Sequence, residues 1–215
     1  YNFEHLLRDL VNISGLLRLR ISSIEINELT DGVLDIFSKS DVLVPHLHIP
    51  LQSGSDHILK EMNRKYDKEY FINRIEYIKS IKKNVSITTD VITGFPGETD
   101  MEHLESMETI KNIGFTKVHV FPYSDRYNTV ASKMPNKVDG NVKKTRVKDL
   151  LVLSDELESS FNSKFYGRVL PVLIEEEKDG YFYGHTANFI RVKVSGNYKH
   201  NEIYNIKLSE DNIVR

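Results

Sequence analysis

Cysteine is missing altogether from these 215 residues. That excludes disulfides, thiolate zinc sites and cysteine-bound iron–sulfur clusters within the chain. An excess of either charge is missing too: 29 basic against 31 acidic residues leave a formal net charge of -2. No global positive field advertises a polyanion, so any nucleic-acid site has to be local. Only 40% of the residues are hydrophobic, and no run of about 18 apolar residues is present to span a bilayer. No secretory leader is visible, and the chain starts at Tyr1 without an initiator Met, as a piece of something longer would. A cytoplasmic protein is the default expectation. The length suits one sizeable core with room for a second small domain.

What is present centres on the stretch His46 to Asp56. His46 to Ile49 alternates polar and apolar residues as a strand does, and Pro50 stops it. Gln52, Ser53, Gly54 and Ser55 then make a polar turn, with Ser55 as an N-cap before a helical pattern opening at Asp56. A strand running through a polar turn into a helix is where α/β proteins place ligand-binding groups. On pattern alone, an ordinary strand-to-helix loop is the competing reading.

The rest of the first 120 residues repeats this unit. A helix over Tyr1–Ile13 precedes a strand over Leu16–Ser22 and a helix from Asp31 to Ser38 capped by Thr30. Helical patterns at Ile58–Met62 and Lys68–Ile81 lead to a β-branched strand, Val85–Thr93, broken by Gly94 to Gly97. Thr99 and Glu102 have capping-box spacing for a helix ending at Gly114, and Val118–Phe121 is the fourth strand. Strands alternating with helices imply parallel βαβ units, in an open sheet or a partial barrel. A long amphipathic helix over Val142–Lys164 follows, its basic run Lys143–Lys148 reading as a solvated face. Beyond Phe165 come short strands with a hairpin signal at Asp179-Gly180, which suggests a small appended β-barrel or sandwich.

Three loop segments taken together resemble one family. HLHIPLQSGSDHILKEMNRKY (46–66), ITTDVITGFPGET (87–99) and VHVFPYSDRYNTVASKM (118–134) are similar to the C-terminal half of radical S-adenosylmethionine methylthiotransferases. GHTANFIRV at Gly184–Val192 resembles their terminal TRAM domain. Within the family the motifs are most similar to the branch that methylthiolates N6-threonylcarbamoyladenosine beside the tRNA anticodon. The resemblance implies an α/β fold: a partial parallel (β/α) barrel over 1–140, a linking helix over 141–164 and a TRAM-like all-β barrel over 165–215. It implies S-adenosylmethionine as cofactor, tRNA (its anticodon stem-loop) as partner and no membrane. Two [4Fe–4S] clusters serve the full-length enzymes, one on a CxxxCxxC loop and one on three N-terminal cysteines. Neither set exists here, so a fragment holding the last four of six barrel strands is expected, inactive alone and without metal. Another departure is Asn128, where the family often has Gly; Asn tolerates the left-handed turn.

For the cofactor, the resemblance points to Gln52 and Ser53, whose amide and hydroxyl suit ribose hydroxyls without a charge penalty. Ser23 and Glu25 address the ribose as well, although Glu25 reads equally as a solvated loop carboxylate. Gly94 and Phe95 would lie against the adenine, with Phe121 and Tyr123 offering backbone groups and an aromatic edge. Asp90, a carboxylate in an apolar strand, must face the barrel mouth or meet a partner. It is expected to orient substrate. Arg126 would meet a phosphate or the threonylcarbamoyl carboxylate, or else be plain surface. In the tail, Arg168, Arg191 and Lys193 interleave with aromatic residues as RNA-binding surfaces do. His46 and His48, two apart on one strand, make a conceivable metal pair with no third ligand, or simply hydrogen-bonded strand histidines. The other readings left open are a methylthiotransferase acting on a ribosomal protein and a non-catalytic RNA-binding module.

Overall fold

The computed structural model describes residues 1–214. Helix α1 (Phe3–Val11) leads to strand β1 (Leu19–Ile21), α2 (Asp31–Lys39) and β2 (Leu43–His48). Then come α3 (Asp56–Glu61), α4 (Lys68–Ile81), β3 (Ser86–Thr93), α5 (Asp100–Ile113) and β4 (Lys117–Pro122). The four strands lie side by side in chain order, every neighbouring pair parallel. Alternation along the strands decides which residues meet the helices. Leu43, Leu47, Ile87, Val91 and Val118 pack with Phe37, Phe71 and Phe115 into the main core. His46, His48, Thr88, Asp90 and His119 alternate onto the other face.

Local chemistry starts and stops the helices much as the sequence implies. Thr30 accepts from Val33 N, Asp67 from Tyr70 N, and Thr99 with Glu102 completes the expected capping box. Ser55 stands at the N-cap of α3 but makes no capping bond with its side chain. Strand β1 is only three residues long, because Arg18 leaves the expected strand to reach carbonyls of a second sheet.

Helix α6 (Gly140–Ser163) runs along the outer edge of β4. There the Ser154 hydroxyl accepts from Val118 N at 3.0 Å and donates to Val118 O at 3.1 Å, satisfying backbone groups that an edge strand leaves open. Beyond it, β5 (Val169–Lys178), β6 (Tyr181–Thr186), β7 (Arg191–Val194) and β8 (Ile203–Lys207) form an antiparallel sheet in the order β7-β6-β5-β8. Asp179 and Gly180 both have positive φ (53° and 76°), as the tight hairpin between β5 and β6 requires. Phe165, Val172, Ile174, Val192 and Leu208 give this sheet its own apolar core. The expected strand from Phe189 starts two residues later, since Phe189 has φ +67° and turns the chain. The strand pairing shows a four-stranded antiparallel sheet, extended by one bridge between Val192 and Ile213.

The second sheet sits at the N-terminal ends of the parallel strands. Arg18 donates to the carbonyls of His185 (3.0 Å) and Pro171 (2.9 Å), and the His46 ring lies 4.5 Å from that of Phe189. The C-terminal ends of the parallel strands are therefore left to the polar loops.

Candidate functional site

Those loops enclose a cleft of about 570 Å³, lined by Gln52, Asp90, Phe121, Tyr123 and Arg126, with Ile92 and Ser124 beside them. This falls within the roughly 300–1,000 Å³ of small-molecule sites. Gln52 reaches it through a backbone conformation that glutamine rarely adopts, with φ 70°. Two bonds to β3 hold it there: Gln52 N to Asp90 O and Ile92 N to Gln52 O, both 2.8 Å. A strained residue over-determined by its surroundings is characteristic of binding loops. Asp90 both faces the cleft and has a partner, since His48 Nε2 stands 3.3 Å from its Oδ1. The other His48 nitrogen lies 2.9 Å from Thr88 Oγ1, which fixes the ring's orientation. The Tyr123 hydroxyl donates to Asp125 at 2.9 Å, leaving the ring itself as the cleft wall. Burial and that carboxylate push the Tyr123 phenol up.

Other residues singled out in the sequence lie elsewhere. Ser53 is buried, and its hydroxyl stands 3.3 Å from Ser106 Oγ on α5 while accepting from Ser55 N, so its side chain does not face the cleft. Phe95 is buried edge-on behind Tyr123, with ring centroids 5.3 Å apart. Gly94 is covered by the Lys143 side chain, which a Cβ would overlap. Both therefore support the cleft from behind. Glu25 pairs with Arg64 at 2.9 Å, and Ser23 lines an apolar groove beside Phe3 and Leu7. In the antiparallel sheet, Lys193 Nζ lies 3.8 Å over the Tyr181 ring and the Arg191 guanidinium 5.1 Å over Tyr183. Arg168 belongs to another surface, stacked on Phe165 at 5.0 Å and lining a groove with Pro45 and Asn84.

The basic run on α6 departs most from its reading as a solvated face. Arg146 is only 5% exposed, and it donates to Glu98 (2.6 Å) and Asp100 (2.7 Å). Glu98 in turn accepts from Gly94 N at 2.6 Å. Burial pushes the Glu98 carboxyl up, opposed by the Gly94 N–H and by Arg146. Lys143 donates to the Tyr123 carbonyl at 3.2 Å. Helix α6 thus clamps both loops that wall the cleft. The signal available in the sequence was Glu98 itself, an acid directly after Gly94-Phe-Pro-Gly97 that needs a counter-charge if buried.

Parallel strands whose C-terminal loops gather an amide, a carboxylate, an aromatic wall and a guanidinium define an α/β protein with a small-molecule cleft at the usual end of the sheet. Comparison with known proteins narrows the class. The model described as "Radical SAM superfamily" matches residues 1–110, and the chain belongs to that superfamily. It is 44% identical over 202 residues to threonylcarbamoyladenosine tRNA methylthiotransferase MtaB of Bacillus subtilis, covering 91% of this chain and 45% of that protein. It is 37% identical over 175 residues to a tRNA-2-methylthio-N(6)-dimethylallyladenosine synthase of Desulfitobacterium hafniense, covering 81% and 39%. The chain thus spans less than half the length of these relatives. Among solved structures, the radical SAM enzyme coproporphyrinogen III oxidase of Escherichia coli superimposes with a TM-score of 0.57 at 12% identity, over 89% of this chain and 49% of that one. That likeness is one of fold. No helix among the described residues is long and apolar enough to cross a membrane.

Proposed function

We propose that this chain is part of a radical S-adenosylmethionine tRNA methylthiotransferase, and that its substrate is N6-threonylcarbamoyladenosine beside the anticodon. The observation that carries this reading is the convergence of Gln52, Asp90, Phe121, Tyr123 and Arg126 on one cleft. These residues come from three segments separated in sequence, the same three whose motifs resemble those of the family. The donor set fits a nucleoside: the Gln52 amide both donates and accepts, and Phe121 and Tyr123 offer flat apolar surface. Gln52, Phe121 and Tyr123 would hold the adenosine of S-adenosylmethionine, which supplies hydrogen-atom abstraction and a methyl group when bound. Asp90, steadied by His48, would accept hydrogen bonds from substrate N–H or hydroxyl groups. Arg126 at the rim would take the threonylcarbamoyl carboxylate in its guanidinium fork.

The iron–sulfur clusters of the family do not fit residues of this chain. It has no cysteine, and no group of three or more His, Asp or Glu among the described residues is placed to hold a metal. No step of the reaction runs through them in this chain. The antiparallel sheet is read as TRAM-like, with Tyr181, Tyr183, Arg191 and Lys193 as its RNA face. Stacked cations and rings suit phosphates and splayed bases at once.

The test is genetic and chemical. Deleting the gene and analysing tRNA nucleosides by mass spectrometry should show loss of the 2-methylthio group from threonylcarbamoyladenosine, with the unthiolated nucleoside accumulating. Loss from dimethylallyladenosine instead would transfer the substrate assignment, and an unchanged nucleoside profile would overturn the reading.

A further inference from the structure

A second cavity, of about 440 Å³, lies between the two sheets, below the cleft and separated from it by the His48–Asp90 pair. Nothing in the proposed reaction uses it. One wall is the helix-free face of the parallel sheet, with Arg20 from β1, His46 from β2 and His119 from β4. The opposite wall is Phe189, whose left-handed backbone is a genuine outlier for an aromatic residue. The turn is pinned by Phe189 N donating to Thr186 O and Ile190 N donating to Thr186 Oγ1, both 3.0 Å. The Phe189 ring stacks on His185 at 4.4 Å, and the Arg20 guanidinium lies on it at 4.6 Å.

Two side chains in this cavity are buried with polar atoms that have no partner among the described residues. His46 is 2% exposed, and neither of its ring nitrogens makes a hydrogen bond. Glu158, from α6, uses Oε1 to accept from Lys117 at 3.2 Å but leaves Oε2 unmatched. Buried polar groups are normally satisfied, so an unmatched donor and an unmatched acceptor in one roomy cavity mark it as a candidate ligand site.

The pairing of the charges selects its class. Lys117 is matched by Glu158, Arg191 by Glu176 and His185 by Glu175, whereas Arg20 has no carboxylate partner among the described residues and its charge is left for a ligand. The effect is felt at His46: burial first, then Arg20 and the rings of His48, His185 and His119 bring its pKa down to about 3. At neutral pH the ring is therefore uncharged, with one N–H to give. A guanidinium, an ammonium and an imidazole N–H are donors for an oxyanion. The unmatched carboxylate oxygen of Glu158 adds a condition, because it can be satisfied only by an anion that still carries a proton.

We propose that this cavity binds a protonated phosphate-class oxyanion, inorganic phosphate or the terminal phosphate of a small metabolite, with Arg20 and His46 donating to it and Glu158 accepting its hydroxyl. Sulfate has the same size and geometry but no proton at neutral pH, so Glu158 discriminates against it. A phosphodiester is excluded on the same ground.

Calorimetry on the whole chain at pH 6.5, with inorganic phosphate, sulfate and adenosine monophosphate as probes, decides the matter. Phosphate should bind, with sulfate weaker by about tenfold or more, the worth of one charge-assisted hydrogen bond. Arg20→Gln should weaken phosphate by a similar factor. Glu158→Gln should erase the preference by improving sulfate relative to phosphate. Phosphate competing with adenosine monophosphate would identify a metabolite site, and phosphate binding alone a site for the free ion. Melting curves separate loss of fold from loss of binding, and Arg20, being exposed, gives a variant expected to stay folded. Phosphate affinity weaker than about 1 mM, or equal binding of both anions unmoved by either substitution, would mean that ordered water fills the cavity and would overturn the proposal.

Discussion

Two residues show how tightly single positions are specified. Gly54 lies against α5, where a Cβ would stand 2.6 Å from Ser106 Cα and 2.8 Å from Thr109 Cβ. Backbone cannot yield cheaply there, so Gly54→Ala should cost about 1–3 kcal/mol of stability, read from urea unfolding. An unchanged midpoint would show that α5 shifts freely. His46 ties stability to pH. Its pKa is depressed by burial to about 3, against about 6.5 in the unfolded chain. Between those values the unfolded state binds the additional proton, so stability is highest above pH 6.5 and falls as the pH drops toward 3. The slope from this group is at most about 1.4 kcal/mol per pH unit. In His46→Gln that part of the slope should vanish; a parallel pair of stability–pH curves would show that His46 does not carry it.

At the scale of elements, α6 acts through one buried cation. Arg146→Met leaves Glu98 charged without its counter-ion, its side chain only 2% exposed. The expected loss is about 3–5 kcal/mol at pH 7, the usual result of breaking a buried pair from one side. Glu98 is already pushed up by burial, so the loss should shrink as the pH falls and the carboxyl takes up a proton. Glu98→Gln together with Arg146→Met should recover most of the stability. If the double variant is no better than the single one, the pair is not the joint between α6 and the cleft loops.

At the scale of the molecule, two apolar cores are joined by few polar bonds, of which Arg18 to two carbonyls is the most direct. Arg18→Leu should let the sheets unfold separately, so that amide exchange in β5–β8 no longer tracks that in β2 and β3. Exchange that stays matched across both sheets would place the joint elsewhere. The RNA face is tested on the same chain with a tRNA anticodon stem-loop. Replacing Arg191 and Lys193 by Ala should weaken binding and lower the salt slope by roughly 0.7–0.9 for each phosphate no longer neutralised. Undiminished binding by a folded double variant would move the RNA site to the cleft rim at Arg126.

The sequence by itself determined the alternation of strands and helices, the caps at Thr30 and Thr99, the Asp179-Gly180 hairpin and the loops that form the cleft. All of these rest on interactions between residues close along the chain, or on motif strings read directly. Only the tertiary structure decided which face each side chain takes once the loops are closed. Ser53 and Phe95 turn inward because α5 and Tyr123 offer them partners, and Gln52 is held toward the cleft by backbone bonds to β3. Arg146 looks in sequence like one more member of a basic run, yet it is buried because Glu98, 48 residues earlier, is delivered to it by the fold. The cavity around His46 has the same origin. Its walls come from all four parallel strands, α6 and the segment around the turn at Phe189, and local spacing carries no information about which distant surfaces will meet.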